Sequence, residues 1–164
     1  MERRKVSMID LDGLSDINLE SVPDSVWEIE LEVKSVSKSL SLLNIPSNIT
    51  LLNLGGLLSE SISEPFHLPM SLVTYKGPFL SNMVFPQNME TIHVIETQKS
   101  MSSSRIVFPT RAKKITVENP LKFSDLDSIN LPGSVESFEI IGRYNCSLEK
   151  LNLPLGLLHL NIGE

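Results

Sequence analysis

Apolar residues recur along this chain in a fixed register with seven prolines. These prolines lie 23, 23, 17, 23, 23 and 22 residues apart, at Pro23, Pro46, Pro69, Pro86, Pro109, Pro132 and Pro154. The residue before each proline and the residues three, six and eight after it are apolar in 27 of 28 cases, Gly77 being the exception. A fixed period of this length is the sequence signature of a repeat protein whose units stack.

Each repeat is predicted to contain one short β-strand. The positions six and eight after the proline are two apart, so both side chains point to the same face of a strand. Proline cannot donate to a sheet and should precede the strand, and a small polar residue two positions later, such as Ser25 or Asn48, suits a turn. A single strand cannot bury its own apolar face, so the units must stack around a continuous core.

The pattern therefore predicts a β-dominated solenoid with one short parallel strand per repeat, about eight stacked strands and mostly irregular return segments. Counting 23 residues back from Pro23 puts Val6 and Met8 at inward positions of an earlier strand over Arg4–Asp10. The 17-residue repeat, which contains Gly77, is expected to have a clipped return segment and a local change in curvature. A short helical turn is expected at 124–128.

Two stretches carry a family resemblance. Ile45–Leu54 and Leu131–Ile140 resemble the LP-x-S-L-x-x-L-x-L form of leucine-rich repeats. The chain is also similar to FNIP-type repeats and to the irregular arrays of some fungal F-box and kinetochore proteins. The resemblance implies the α/β leucine-rich-repeat class, with a concave strand face that binds other macromolecules. Residues 1–164 are predicted to be a single array of this kind, and a piece of a longer one, because neither end has an evident polar cap.

The chain departs from that family at one position. The family's usual asparagine should lie three residues after the last inward strand position, where it ties neighbouring turns together. Those positions hold Lys34, Leu57, Leu80, Thr97, Pro120 and Arg143. A regular convex side is therefore not expected.

The residues five, seven and nine after each proline point away from the core, and we call this surface the strand face. It is acidic at the N-terminal end and mixed, partly basic, in the middle. Charge complementarity steers association and selects partners, so a partner could read this gradient. For any single residue, a merely solvated side chain is the plainer interpretation, because few interface residues carry most of the binding energy. The predicted partner-binding residues are Glu28, Glu30, Asn53, Lys76, His93, Lys114, Thr116 and Glu139.

Composition narrows the classes of partner. The formal net charge of -6 argues against nucleic acid by default, because phosphate contacts favour Lys and Arg. No apolar run approaches the roughly 20 residues of a membrane helix, so no membrane partner is expected. The single cysteine, Cys146, precludes an intrachain disulfide and fits a reducing compartment, so we expect an intracellular protein, cytoplasmic or nuclear. The basic cluster of Arg3, Arg4 and Lys5 is interpreted as solvated terminal charge.

The sequence offers no catalytic constellation. The three histidines sit in different repeats without metal-ligand spacing, and no phosphate loop or nucleophile motif is present, so we predict no catalytic, metal or cofactor residues. We expect a non-catalytic protein–protein recognition module or scaffold that binds a protein through the strand face. One alternative is a polysaccharide-processing enzyme on a parallel β-helix, which requires several strands per turn and carboxylates in adjacent turns. The other is a purely structural spacer.

The edges of the predicted sheet suggest a further partner. A terminal strand presents free backbone N–H and C=O groups that can pair with another chain. Self-association is therefore expected through the strand of Met8 or that of Leu160.

Overall fold

The strands stack in the order that the repeat predicts. The computed structural model describes residues 4–11, 19, 22–33, 44–55, 66–79, 83–95, 106–118, 129–142 and 151–163. The strands in these ranges are β1 Arg4–Leu11, β2 Val26–Val33, β3 Leu51–Asn53, β4 Phe66–His67, β5 Thr74–Pro78, β6 Met83–Val84, β7 Thr91–Ile95, β8 Ile106–Val107, β9 Lys114–Glu118, β10 Ile129–Asn130, β11 Ser137–Ile141 and β12 His159–Ile162.

One eight-stranded sheet runs through the molecule in the order β1-β2-β3-β5-β7-β9-β11-β12. Every neighbouring pair in it is parallel, and residues at the same distance from their prolines lie opposite one another, as Ile92 does Ile115. The predicted β-solenoid of about eight stacked parallel strands is confirmed. The backward count is also correct, since Val6 pairs with Ile29 and Met8 with Leu31.

The core lies under the inward strand positions. From β2 to β11 the side chains six and eight after the proline are buried, as are those three after it. The core is mostly aliphatic, with an aromatic row in its middle. The ring of Phe85 lies 5.9 Å from that of Tyr75, edge to face, and 6.2 Å from that of Phe108, stacked.

Four repeats add a second, two-residue strand ahead of the proline, which the sequence analysis did not foresee. Strand β4 pairs with β6, and β8 pairs with β10, both in parallel. Side chains alternate there too: Ile106 is buried, Val107 is exposed and Phe108 is buried again. One strand per repeat is thus correct for the main sheet and incomplete for these four repeats. A two-residue run is too short to show a period of its own.

A repeated turn explains the position of the prolines. In all seven repeats the proline carbonyl accepts a hydrogen bond from the N–H three residues later, at 2.9 to 3.2 Å. The small polar residue inside the turn also ties neighbouring repeats together. Asn48 Nδ2 donates to the Val26 carbonyl at 2.6 Å, and the hydroxyl of Ser134 donates to the Ala112 carbonyl at 2.7 Å.

These side-chain bonds lie on the strand side of the repeat. The six positions where the family's asparagine was sought, and the helical turn expected at 124–128, are outside the described residues. Within the described ranges, no helix is long and apolar enough to cross a membrane.

The single exception in the apolar pattern has a packing cause. Tyr75 is fully buried, and its hydroxyl donates to the Pro78 carbonyl at 2.8 Å. Burial raises the pKa of the Tyr75 phenol well above its ordinary value, so the hydroxyl keeps its proton. A Cβ atom at Gly77 would lie 2.7 Å from that hydroxyl oxygen and 2.9 Å from Leu54 Cβ. Tyr75 therefore fills the space that the next inward side chain occupies in other repeats.

Candidate binding face

Two of the three rows of the strand face, five and seven residues after each proline, carry mostly polar side chains across the sheet. The residues seven after the proline, from Glu30 on β2 to Asn161 on β12, lie next to one another in register. The row five after the proline runs beside it from Glu28 to His159. Neighbouring strands are about 4.8 Å apart and same-face residues about 6.6 Å apart along a strand, so each side chain can reach those around it. All eight predicted binding residues lie in these two rows.

The acidic end of the face is paired within the chain. The Lys5 ammonium lies 3.0 Å from Glu28 Oε1 and 3.0 Å from Glu30 Oε2. These hydrogen bonds raise the pKa of Lys5. Asn53 Nδ2 donates to Glu30 Oε1 at 2.8 Å, and the Gly55 N–H donates to Asn53 Oδ1 at 2.9 Å. We call Lys5, Glu28, Glu30 and Asn53 the paired end.

The sequence-based prediction for Lys5 is incomplete. The side chain is exposed, as a solvated terminal charge would be, but its ammonium also pairs with two carboxylates on the next strand. The backward count of 23 residues places Lys5 opposite Glu28, so the signal was present in the register. Opposite charges directly across two strands attract one another, and this pairing could have been predicted from that alignment.

His93 forms a side-chain hydrogen bond in the middle of the face. Its Nε2 lies 2.8 Å from Oε2 of Glu118, which sits nine residues after Pro109 on the neighbouring strand. Burial lowers the pKa of His93, the Lys76 ammonium lowers it further, and the bond to Glu118 opposes both. Thr116, directly opposite His93, is only 4% exposed. Glu118 was not among the predicted binding residues.

Lys76 and Lys114 differ from Lys5. In the part of the chain that the structure describes, neither ammonium has a carboxylate within ion-pairing distance. Lys76 lies between Asn53 and His93 in its row. Lys114 lies between Thr91 and Ser137 and is exposed. We call Lys76, His93 and Lys114 the central patch.

The C-terminal part of the face carries one more internal bond. Asn161 Nδ2 donates to Glu139 Oε1 at 2.8 Å. The eight predicted residues thus share a face of the sheet without converging on a single cluster. Among the described residues, no group of three His, Cys, Asp or Glu side chains could hold a metal ion.

No family model, curated protein or solved structure matches this chain. Among the described residues, the strand face brings polar side chains from all the strands of the main sheet into register.

Proposed function

We propose that this protein is a non-catalytic recognition module or scaffold that binds a protein partner across the strand face. The observation that supports this most is the register: polar residues of changing identity lie side by side on eight parallel strands over one continuous core. Stacked repeats commonly use such an extended surface for binding. The leucine-rich-repeat resemblance of the two quoted stretches points the same way.

The order of the face favours binding. Several of its side chains are already held by hydrogen bonds, such as Asn53 to Glu30 and Asn161 to Glu139. Binding costs less when fewer rotamers must be immobilised, because lost side-chain entropy opposes association. A preformed polar platform therefore loses little entropy when a partner docks.

The test is an unbiased selection of ligands from a displayed peptide library, followed by matched variants of this chain. Thr91→Trp/Ser137→Trp adds bulk to the strand face, where both residues are half-buried. Ser47→Trp/Thr110→Trp adds the same bulk at exposed turn positions off the face. We expect the first variant to lose at least about tenfold in affinity, or about 1.4 kcal/mol, and the second to bind normally.

Circular dichroism and urea unfolding would first establish that both variants fold. Ligands that bind both variants equally well would refute the strand face as the binding surface. A structural spacer, the third function weighed above, would select no ligand at all.

An enzyme on this fold remains the second proposal, because two features correspond to what it requires. Four repeats carry a second strand. Glu118 and Glu139, on neighbouring strands, both act electrostatically on His93. Paired carboxylates are the usual groups of glycoside hydrolysis, although here one binds His93 and the other Asn161. Release of reducing ends from a polysaccharide panel, abolished in Glu118→Gln or Glu139→Gln, would favour this alternative.

A further inference from the structure

We infer that the strand face takes an extended acidic segment of a partner protein, seated on the central patch with carboxylates against Lys76 and Lys114. This inference rests on the proposed function and specifies its partner. It commits to one class of ligand, an acidic peptide, and to one part of the face.

Lys5 and the two lysines of the central patch have different surroundings. Lys5 has two carboxylates at 3.0 Å, and Asn53 binds one of them as well, so the paired end already satisfies its own charges. Lys76 has an amide and an imidazole beside it in its row, and Lys114 has two hydroxyl residues. A charge-assisted bond to a carboxylate is roughly twice as strong as a neutral one, and at these two sites no carboxylate of the described ranges is close enough to form it, so a partner can supply it.

The spacing suits an extended chain. Strand separation of about 4.8 Å and a rise of about 3.3 Å per residue place the Cα atoms of Lys76 and Lys114 about 12 Å apart. In an extended peptide, acidic residues four apart are separated by about 13 Å and point to the same side. Long lysine side chains also allow a spacing of two. The surface between the two lysines offers Thr91 and His93, which are polar and carry no negative charge.

The positive potential of the patch is local. The Lys76 ammonium acts on His93, where it lowers the pKa of the imidazole. The whole chain carries a formal net charge of -6, which repels an acidic ligand at long range. At physiological ionic strength charges are screened beyond about 8 Å, so a docked segment responds to the groups it lies against, the two lysines and the flanking Glu118 and Glu139, more than to the net charge.

Nucleic acid is a less suitable polyanion for this patch. Its affinity rises with the number of phosphates that cations neutralise, and two lysines supply few such contacts. Glu118 and Glu139 also flank the patch and would face the continuous phosphate backbone. A peptide can place neutral residues opposite those carboxylates.

The experiment measures fluorescence anisotropy with three labelled peptides of about twelve residues. Threonine alternates with glutamate, glutamine or lysine, so that only charge differs among them. The test variant is Lys76→Glu/Lys114→Glu. Its matched control is Arg4→Glu/Arg111→Glu, which makes the same change in formal charge at two exposed residues outside the central patch. A single-stranded RNA oligonucleotide serves as the competing polyanion.

We expect the glutamate peptide to bind the wild-type chain at least tenfold more tightly than the other two. The test variant should lose at least tenfold in affinity, and the control should change by less than threefold. Equal loss in both variants, or tighter binding of the lysine peptide, the glutamine peptide or RNA, would overturn the inference. If none of the peptides binds while library ligands are blocked by Thr91→Trp/Ser137→Trp, the acidic partner is wrong and the proposed function stands. If the library also yields nothing, both fail.

Discussion

The short repeat that carries β5 and the regular repeat that carries β7 solve the same packing problem differently. The regular repeat presents Ile92 and Val94 to the core, and the short one presents Tyr75 and Gly77 at the same register positions. Both pairs are buried. The two strands remain aligned over five residues although their prolines are 17 residues apart instead of 23.

This difference shows which features of the repeat are fixed. Hydrogen bonding fixes the strand register, so the missing residues fall wholly on the return side between the two strands. Packing fixes the combined volume of the two inward side chains, and a large residue can compensate for an absent one. Protein interiors are packed as densely as organic crystals, so a larger side chain at one inward position requires a smaller one at the other inward position of the same strand.

The largest effect is expected from Gly77→Val, which gives the short repeat the second side chain of the regular one. The new Cβ would meet the Tyr75 hydroxyl oxygen at 2.7 Å and Leu54 Cβ at 2.9 Å. Overpacking of this kind typically costs 1–3 kcal/mol, and we expect about 3 kcal/mol in the free energy of unfolding. Urea unfolding followed by circular dichroism measures it.

The control for that prediction is Tyr75→Ile/Gly77→Val, which installs the regular pair in full. It should recover most of the lost stability, because the volume of the two side chains is then that of the neighbouring repeat. A double variant as unstable as Gly77→Val alone would show that volume compensation is not the reason for the glycine.

A smaller effect is expected from Tyr75→Phe. It removes the hydrogen bond to the Pro78 carbonyl and leaves a buried acceptor without its donor, which should cost about 1 kcal/mol. It also removes the atom closest to a Cβ at Gly77, so Gly77→Ala should cost less in this background than in the wild type. Additive effects of the two changes in a double-mutant cycle would contradict this coupling.

Substitutions at the equivalent turn position of the same two repeats should change the stability of the fold in opposite directions. The Ser71 hydroxyl donates to the Ile49 carbonyl at 2.5 Å, and Ser71→Ala should cost about 1 kcal/mol. The equivalent Asn88 has a buried Oδ1 that accepts no hydrogen bond from the described part of the chain. Asn88→Ser should therefore be neutral or stabilising by up to about 1 kcal/mol. Thermal unfolding compares the two variants, with the exposed Ser47→Ala as control. A loss of stability in Asn88→Ser would show that a serine at this position does not form the hydrogen bond to the preceding repeat that Ser71 forms.

The smallest effect concerns Lys76 and His93, which occupy the same row on the two strands. The folded chain holds the pKa of His93 below its ordinary value, so the unfolded chain binds a proton more readily. Stability should consequently fall as the pH drops below about 6.5 toward the lowered pKa. His93→Gln should flatten this decline. In an NMR titration, Lys76→Met should raise the pKa of His93; an unchanged value would show that the two groups do not interact.

The main sheet is well predicted because two independent patterns in the sequence agree. The proline marks where each repeat begins, and the alternation of apolar residues shows which side of each strand faces the core. The eight binding candidates accordingly lie at the outward register positions where they were expected, although Thr116 is buried there. Their roles remain predictions.

The contacts on that face were harder to foresee. The pairing of Lys5 is hard to predict because its partners, Glu28 and Glu30, lie on the next strand and not nearby in the sequence. Glu118 lies 25 residues after His93, so their contact can be predicted only when the two strands are aligned. Gly77 interrupts the pattern for a steric reason that depends on the orientation of one tyrosine. The two-residue strands before the prolines carry too few residues for any period to appear.

The brevity of β3 has a mechanical consequence. It pairs with β2 and with β5 over three residues each, whereas β5, β7, β9 and β11 pair over five. When tension pulls the two ends of the stack apart, every strand interface carries the same force, and the weakest interface separates first. The interfaces on either side of β3 have the fewest paired residues between β1 and β11, so we expect rupture to start there, separating β1 and β2 from the strands of the central patch. Optical-tweezers extension would show this as a first rip shorter than the remainder of the unfolding contour.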